Sequence, residues 1–200
     1  MLFLTEIEYY MCKHEATFLP QPDSVQDRAC VALILSGRSN DLHISFILRS
    51  ARPEDPWSGQ MALPGGRASA DDLDNLNVAI RETREEIGID LHRDQCLGRL
   101  SQLQIGAHSS IPAGVLSPFV FYHGAELPVF CLQISEVAAG FWIPVKHLWS
   151  ATNWTTTRWQ DDAYPGILYQ NQLVWGLTLR VLDEFANAIE VPFPILNQSI

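Results

Sequence analysis

No stretch of this chain approaches the roughly 18 consecutive apolar residues that a bilayer-spanning helix needs, so none is expected to cross a membrane. Basic residues are also scarce, with 13 Lys and Arg against 23 Asp and Glu and a net charge of −10. A surface of that sign repels nucleic-acid phosphate and anionic lipid, which disfavours a nucleic-acid groove binder and a membrane-surface protein. An anionic substrate would then need metal ions or a local arginine cluster to reverse the field where it binds. Cysteines are few, and Cys12, Cys30, Cys96 and Cys131 include no CxxC pair and no His at ligand spacing. No zinc or redox motif is written here, and reduced, buried thiols are expected. The opening MLFLTEIEYYMCKHE lacks a basic n-region, and Glu6 interrupts its apolar run, so it does not read as a secretory signal. Gln198, Ser199 and Ile200 resemble neither a peroxisomal nor a prenylation signal, and a cytoplasmic location is expected. P-loop, GxGxxG and GxSxG motifs are absent, and His108 beside Ser109 and Ser110 has no third partner placed by sequence.

What is present is globular composition. Apolar residues make up 47% of 200, enough for a core without disulfide or metal staples. With no repeat or linker, residues 1–200 read as one domain. A short helix is expected within residues 3–17, then a hairpin from ACVALILSG and LHISFIL. The segment from Arg49 to Arg67 is rich in Pro and Gly, too irregular for helix or strand through most of its length, and of a size that is usually functional. GVLSPFVFYH, GFWIPV, TTTRW and GILYQ read as strands, and LVWGLTLRVLDEFANAI as an amphipathic helix with Leu173, Leu177, Val181, Leu182 and Phe185 on one stripe. Strands interleaved with helices give the α/β class. Trp154, Trp159, Tyr164 and Tyr169, at five-residue steps, could include a stacking platform for adenine, although core packing or a dimer contact accounts for most such rings.

The most informative stretch is helical. SADD offers a capping box at Ser69 and Asp72, and Gly88 supplies the stop, so the helix is expected to end near Ile87. On a helical wheel Glu86 falls at about +40° and Glu85 at about −60° from Glu82. Leu73, Leu76, Ile80, Thr83 and Ile87 take the opposite face, with Val78 the one apolar residue on the acidic side. Three carboxylates within about a turn and a half repel one another unless a cation joins them, and oxygen ligands suit Mg²⁺ or Mn²⁺. Arg81 lies four residues before Glu85, at bracing distance, and Gly65 and Gly66 form an expected turn upstream.

RETREEIGI, from Arg81 to Ile89, resembles the second half of the Nudix hydrolase signature, with Thr83 in its aliphatic slot. Gly66 opens the first half, Asp72 follows six positions on, and Arg81 nine positions after that. This longer box resembles the coenzyme A pyrophosphatase branch of the family, as do Arg49, Ser50, Gly59, Gln60, Pro64 and Gly65 ahead of it. SEVAAGFWIPV at 135–145 and VWGLTLRVL at 174–182 resemble later parts of the same branch, and the likeness covers about 28–188.

That resemblance implies a Nudix-type α/β/α sandwich with a mixed sheet. It implies metal-dependent hydrolysis of a diphosphate bond in a nucleotide-linked small molecule, with coenzyme A or acyl-CoA giving 3′,5′-ADP and (acyl)phosphopantetheine. Glu82, Glu85 and Glu86 would hold Mg²⁺ or Mn²⁺, with Arg81 bracing and Glu82 or Glu136 as general base. Arg49, Arg52, Gly65, Gly66 and Arg67 would contact substrate. Another diphosphate, such as a dinucleotide or nucleotide sugar, is the alternative within enzymes. A nucleotide-binding Nudix module without turnover is the alternative outside them, and the three glutamates argue against it. An exposed aromatic face would support a homodimer.

Overall fold

The computed structural model describes residues 2–53, 57–106 and 114–194. The His108 group and the final tripeptide lie outside the described residues. α1 (Leu4–Lys13) precedes a hairpin of β1 (Arg28–Arg38) and β2 (Asp41–Arg49), then two short strands, β3 (Met61–Ala62) and β4 (Gly65–Arg67). α2 (Asn75–Ile87), β5 (Cys96–Arg99), β6 (Leu103–Ile105), β7 (Gly114–Gly124), β8 (Val137–Pro144) and α3 (Val145–Leu148) follow. The described part closes with β9 (Trp154–Trp159), β10 (Asp162–Tyr169), β11 (Gln172–Trp175) and α4 (Gly176–Ala188).

Among the described residues, β1 to β8 make one mixed sheet and β9 to β11 a second, antiparallel one. The parallel pair is β1 with β7, at the centre of the first sheet. Both faces of β1 are apolar because both are covered: Leu33 and Leu35 enter one core, Ala32 and Ile34 the other. Ile7 of α1 and Leu182 and Phe185 of α4 fill the first core, whereas Val78, Ala79 and Ile87 of α2 fill the second. The result is an α/β/α sandwich with a mixed sheet, with α2 on one face of the sheet and α1 and α4 on the other. Among the described residues, no helix is long and apolar enough to cross a membrane.

Several local expectations shift. α2 starts at Asn75, capped by the Asp74 side chain accepting from Asn77 N–H at 2.8 Å, and not at Ser69. Asp72 instead accepts the Ser69 N–H at 2.7 Å in a turn ahead of the helix, which leaves Leu73 outside it and 87% exposed. The buried stripe is therefore Val78, Ala79, Thr83, Glu86 and Ile87, turned from the expected one, with Leu76 and Ile80 only half-buried. Thr83, buried in the aliphatic slot, donates its hydroxyl to Ala79 O and so leaves no polar group unmatched. Gly65 and Gly66 sit in a short strand paired with β1 and not in a turn. Leu173 belongs to β11, because Gln170 and Asn171 both take positive φ and return the chain as a hairpin before α4 begins. Cys30 is buried as expected, but Cys12 and Cys131 are exposed thiols.

Candidate active site

The apolar stripe of α2 sets the azimuth of its glutamates, and docking on the sheet treats them unequally. Glu86 shares a side with Val78 and is driven inward to 3% exposure, Glu82 lies at the seam, and Glu85 stays in solvent. Gly88, at φ +68° where a side chain would be strained, ends the helix against Cys131.

The paired strands β1 and β4 bring two glycines against this face. Gly65 N–H donates to Glu86 Oε2 at 2.8 Å. A Cβ on Gly66 would run into the Glu82 carboxylate, and one on Gly65 would strike Cys30 O and the Val31 backbone. Close approach, and at Gly65 a φ of +152°, is what requires glycine here.

Arg81 ties the cluster together. Its Nη1 donates to Glu82 Oε1 at 2.8 Å and to Glu85 Oε2 at 3.0 Å. On the other side of the guanidinium, Nε and Nη2 bond the two oxygens of Asp72, each at 2.9 Å. Asp72 is held below the usual carboxylate range by that arginine, although burial opposes the shift. The bracing of Glu85 is as the spacing predicts, whereas the Asp72 side of the clamp is unexpected, because nine residues of separation carry no local signal for an ion pair. Removing the guanidinium leaves two largely buried carboxylates without their partner. Arg81→Ala is expected to destabilise the fold by about 2 kcal/mol in chemical denaturation, discounted because Arg81 is itself partly exposed. Arg81→Lys is expected to recover little of this, lacking the fork.

Burial pushes Glu86 up to about 8, with the nearby charges of Glu82 and Glu136 adding to it, and the Gly65 N–H and Arg49 pulling the other way. Burial also raises Glu82, with Glu85 and Glu136 contributing. Four carboxylates thus share one field, although only three lie on one helix.

Glu136 reaches it from a turn fastened on two sides. Gln133 N–H bonds Glu86 O and Cys131 N–H bonds Ile87 O, both at 2.9 Å, so the turn is laid across the carboxyl end of α2. From the β2 side, Ser50 N–H bonds Glu136 O at 2.8 Å and Ser50 Oγ bonds Ile134 O at 3.0 Å. Arg52 joins this turn as well, donating Nε to Ser135 O at 3.1 Å with Nη2 at 3.5 Å from Glu136 Oε1. Arg49 and Arg67 line a cleft of about 420 Å³ that borders the cluster at Gly65. Arg67 also donates from Nη1 to Gln26 O. Trp57, Trp159 and Trp175 edge the same cleft, two of them unforeseen. Of the expected aromatic set, Trp154 packs on Phe193 and Tyr169 on Phe141 and His147, as core residues do.

Among the described residues no three of His, Cys, Asp and Glu already stand as the ligand set of one ion, and Arg81 holds Glu82 and Glu85 in the arrangement seen. The donor chemistry nevertheless fits a hard divalent cation: carboxylate oxygens only, with Glu86 deeply buried and the proton affinities of Glu82 and Glu86 raised, which a cation would reverse.

The family model described as the NUDIX domain matches residues 26–164. An uncharacterised protein of Schizosaccharomyces pombe is 40% identical over 109 residues, 53% of this chain and 33% of that protein, so the match spans about a third of the relative's length. An uncharacterised Nudix hydrolase, NudL, of Yersinia pestis is 28% identical over 192 residues, 86% of this chain and 90% of that one. Among solved structures, a MutT/nudix family protein from Enterococcus faecalis superposes with a TM-score of 0.61 at 16% identity, covering 94% of this chain and 70% of that chain. With the NUDIX domain model matching residues 26–164, more than half of its length, and a carboxylate helix that keeps all three glutamates, the chain belongs to the Nudix hydrolase family.

Proposed function

We propose that this chain hydrolyses the diphosphate bond of a nucleotide-linked small molecule at α2, with coenzyme A or an acyl derivative as the leading substrate. The observation that carries this is the gathering of Glu85, Glu86 and Glu136 in one field with Glu82, where Arg81 holds Glu82 and Glu85 and Glu86 is buried. Coenzyme A is favoured by the residues resembling that branch from Arg49 to Gly66 and at 135–145 and 174–182.

In this reading Glu82, Glu85 and Glu86 hold Mg²⁺ or Mn²⁺. When bound, the ion neutralises diphosphate charge and makes a water more acidic near neutral pH. The chain does the rest by positioning. Gly65 N–H fixes the Glu86 carboxylate, and Arg81, itself fixed by Asp72, orients Glu82 and Glu85. Arg49 and Arg67 face the phosphates from the cleft. Glu136 takes the proton of the attacking water, with Glu82 the alternative acceptor. Glu136 is half-exposed on its fastened turn, whereas Glu82 is already engaged by Arg81.

The bonds of Arg52 to Ser135 and Glu136 support a role through that turn and not through substrate. Arg52→Ala is then expected to lower kcat by about tenfold with KM nearly unchanged; a rise in KM alone would return Arg52 to the substrate contacts.

The same reading takes residues 1–200 as one Nudix domain acting in the cytoplasm, which suits four free cysteines, two of them exposed. A net charge of −10 suits small anions delivered to a local site over nucleic-acid partners. Mass-spectrometric product analysis after incubation with coenzyme A and Mg²⁺ or Mn²⁺ tests it. Release of 3′,5′-ADP that Glu86→Gln abolishes is expected. Release only from a dinucleotide or nucleotide sugar would reassign the substrate, and none from any diphosphate would leave a binding module.

A further inference from the structure

We propose that Phe130, seated in the gap left where Gly140 has no side chain, sets the register of the segment that carries Glu136 and is thereby a positioning residue for the reaction. Its role rests on the proposed function of Glu136 as proton acceptor.

Residues 125–136, between β7 and β8, form neither helix nor strand. Among the described residues β8 pairs with β2, so no ladder of strand pairs fixes which of residues 125–136 stands beside which residue of β8. Leu127, Val129 and Cys131 are exposed. Phe130 and Leu132, alternating with them, pack on the second core.

Phe130 meets β8 at two points. Gly140 and Trp142, two positions apart, belong to the same face of that strand. The Phe130 ring stacks on Trp142, with centroids 5.2 Å apart and planes inclined at 15°. It also covers Gly140 so closely that a Cβ there would lie 2.5 Å from Phe130 Cδ2 and 2.9 Å from its Cγ. Gly140 has no left-handed φ, so close approach of the ring, and not backbone conformation, accounts for glycine at this point of the strand. Trp142 Nε1 donates to Pro128 O at 2.9 Å. At the tip, Glu136 N–H and Val137 N–H both donate to Gln133 O at 2.8 Å. The contacts Pro128–Trp142, Phe130–Gly140 and Gln133–Val137 therefore share one antiparallel register centred on Ser135, with Glu136 beside the tip.

The bonds of Cys131 and Gln133 to Ile87 O and Glu86 O keep the segment against the end of α2, and the lodged ring decides where along β8 it stands. A slip of one residue would lift the ring off Gly140 and carry Glu136 around the tip, changing its distance from the α2 carboxylates. Misplacing a reacting group by about 1 Å is enough to lower a rate by about 100-fold.

The test is a set of variants of the full chain, assayed for kcat and KM on coenzyme A with Mg²⁺, or on a dinucleotide where that is the substrate, together with amide exchange at Cys131 and Gln133. Phe130→Ala is expected to lower kcat by about tenfold or more, with KM within about twofold, and to speed exchange at both amides. Phe130→Tyr keeps the ring and most of kcat. Gly140→Ala, which drives the ring from its seat without removing it, reproduces the loss. In a Glu136→Gln background Phe130→Ala lowers kcat no further, because the group it positions is already gone. Unchanged kcat in Phe130→Ala, or the full loss persisting in Glu136→Gln, would overturn the proposal. Failure of the hydrolase reading looks different. A wild type that hydrolyses no diphosphate sinks that reading, and exchange alone then decides the register: faster exchange in Phe130→Ala supports the pin, and unchanged exchange overturns it. Full kcat in Glu136→Gln sinks the proton acceptor and this role of Phe130 together, and leaves the hydrolase standing.

Discussion

Glu86→Gln is expected to lower kcat by about 10³-fold or more and, in metal-free buffer, to make the fold more stable at alkaline pH. The first effect follows from removing one carboxylate of a site whose charge stabilises the reaction, where single electrostatic contacts are worth about 10²–10³. The second follows from proton linkage. Glu86 stands near 8 when folded, against an ordinary value of 4.5, so the folded state holds its proton more tightly than the unfolded chain. Stability is therefore full below about pH 4.5, falls as pH rises through the window up to about 8, and above it carries the whole cost of a buried charge. Glutamine keeps the acceptor for Gly65 N–H but has no proton to lose, so the variant lacks the Glu86 contribution to the pH dependence and loses less stability across that window. Thermal unfolding of both proteins between pH 5 and pH 9 measures the difference, a few kcal/mol at the alkaline end. Wild type as stable as the variant at pH 9 without metal would contradict the buried charge.

Neighbouring glycines are expected to respond in opposite ways to the same substitution. The atoms nearest a methyl at Gly66 are those of the Glu82 carboxylate, the far end of a side chain that can swing aside at the cost of its Arg81 bond. Gly66→Ala should fold with little loss and yet lower kcat by about 10²-fold, because the displaced group is a proposed metal ligand. A methyl at Gly65 meets the Cys30 carbonyl and the Val31 backbone within paired strands, at a φ that side chains avoid. Gly65→Ala should destabilise by about 2–4 kcal/mol, read as a lower denaturation midpoint. Equal stability losses in the two variants would refute this division between a carboxylate obstacle and a backbone one.

The spacing from Arg81 to Gly88 was legible because helix geometry alone puts Glu82, Glu85 and Glu86 near one another, and Gly88 ends the helix where expected. The central hairpin and β7 were legible from long β-prone runs. The helix start was not, because Ser69 and Asp72 satisfy a local turn that looks like a cap, while Asp74 does the capping. Nor was the burial of Glu86, since a wheel gives angles within one helix but not the depth to which the sheet receives it. The aromatic cleft depends on contacts among residues more than 100 positions apart, and Trp175, within the stretch whose pattern suggests a helix, closes β11 because the helix begins only at Gly176. Arg52 could be recognised as a loop cation, but its attachment to the Glu136 turn is tertiary.

The central claim, that α2 carries a divalent-metal site, is tested most directly by titrating the protein with Mg²⁺ or Mn²⁺ while following thermal unfolding. Wild type should gain about 2.7 kcal/mol at 100 times the dissociation constant, and Glu85→Gln and Glu86→Gln should lose most of that gain. An unchanged metal response in both variants would place the ion elsewhere and contradict the account.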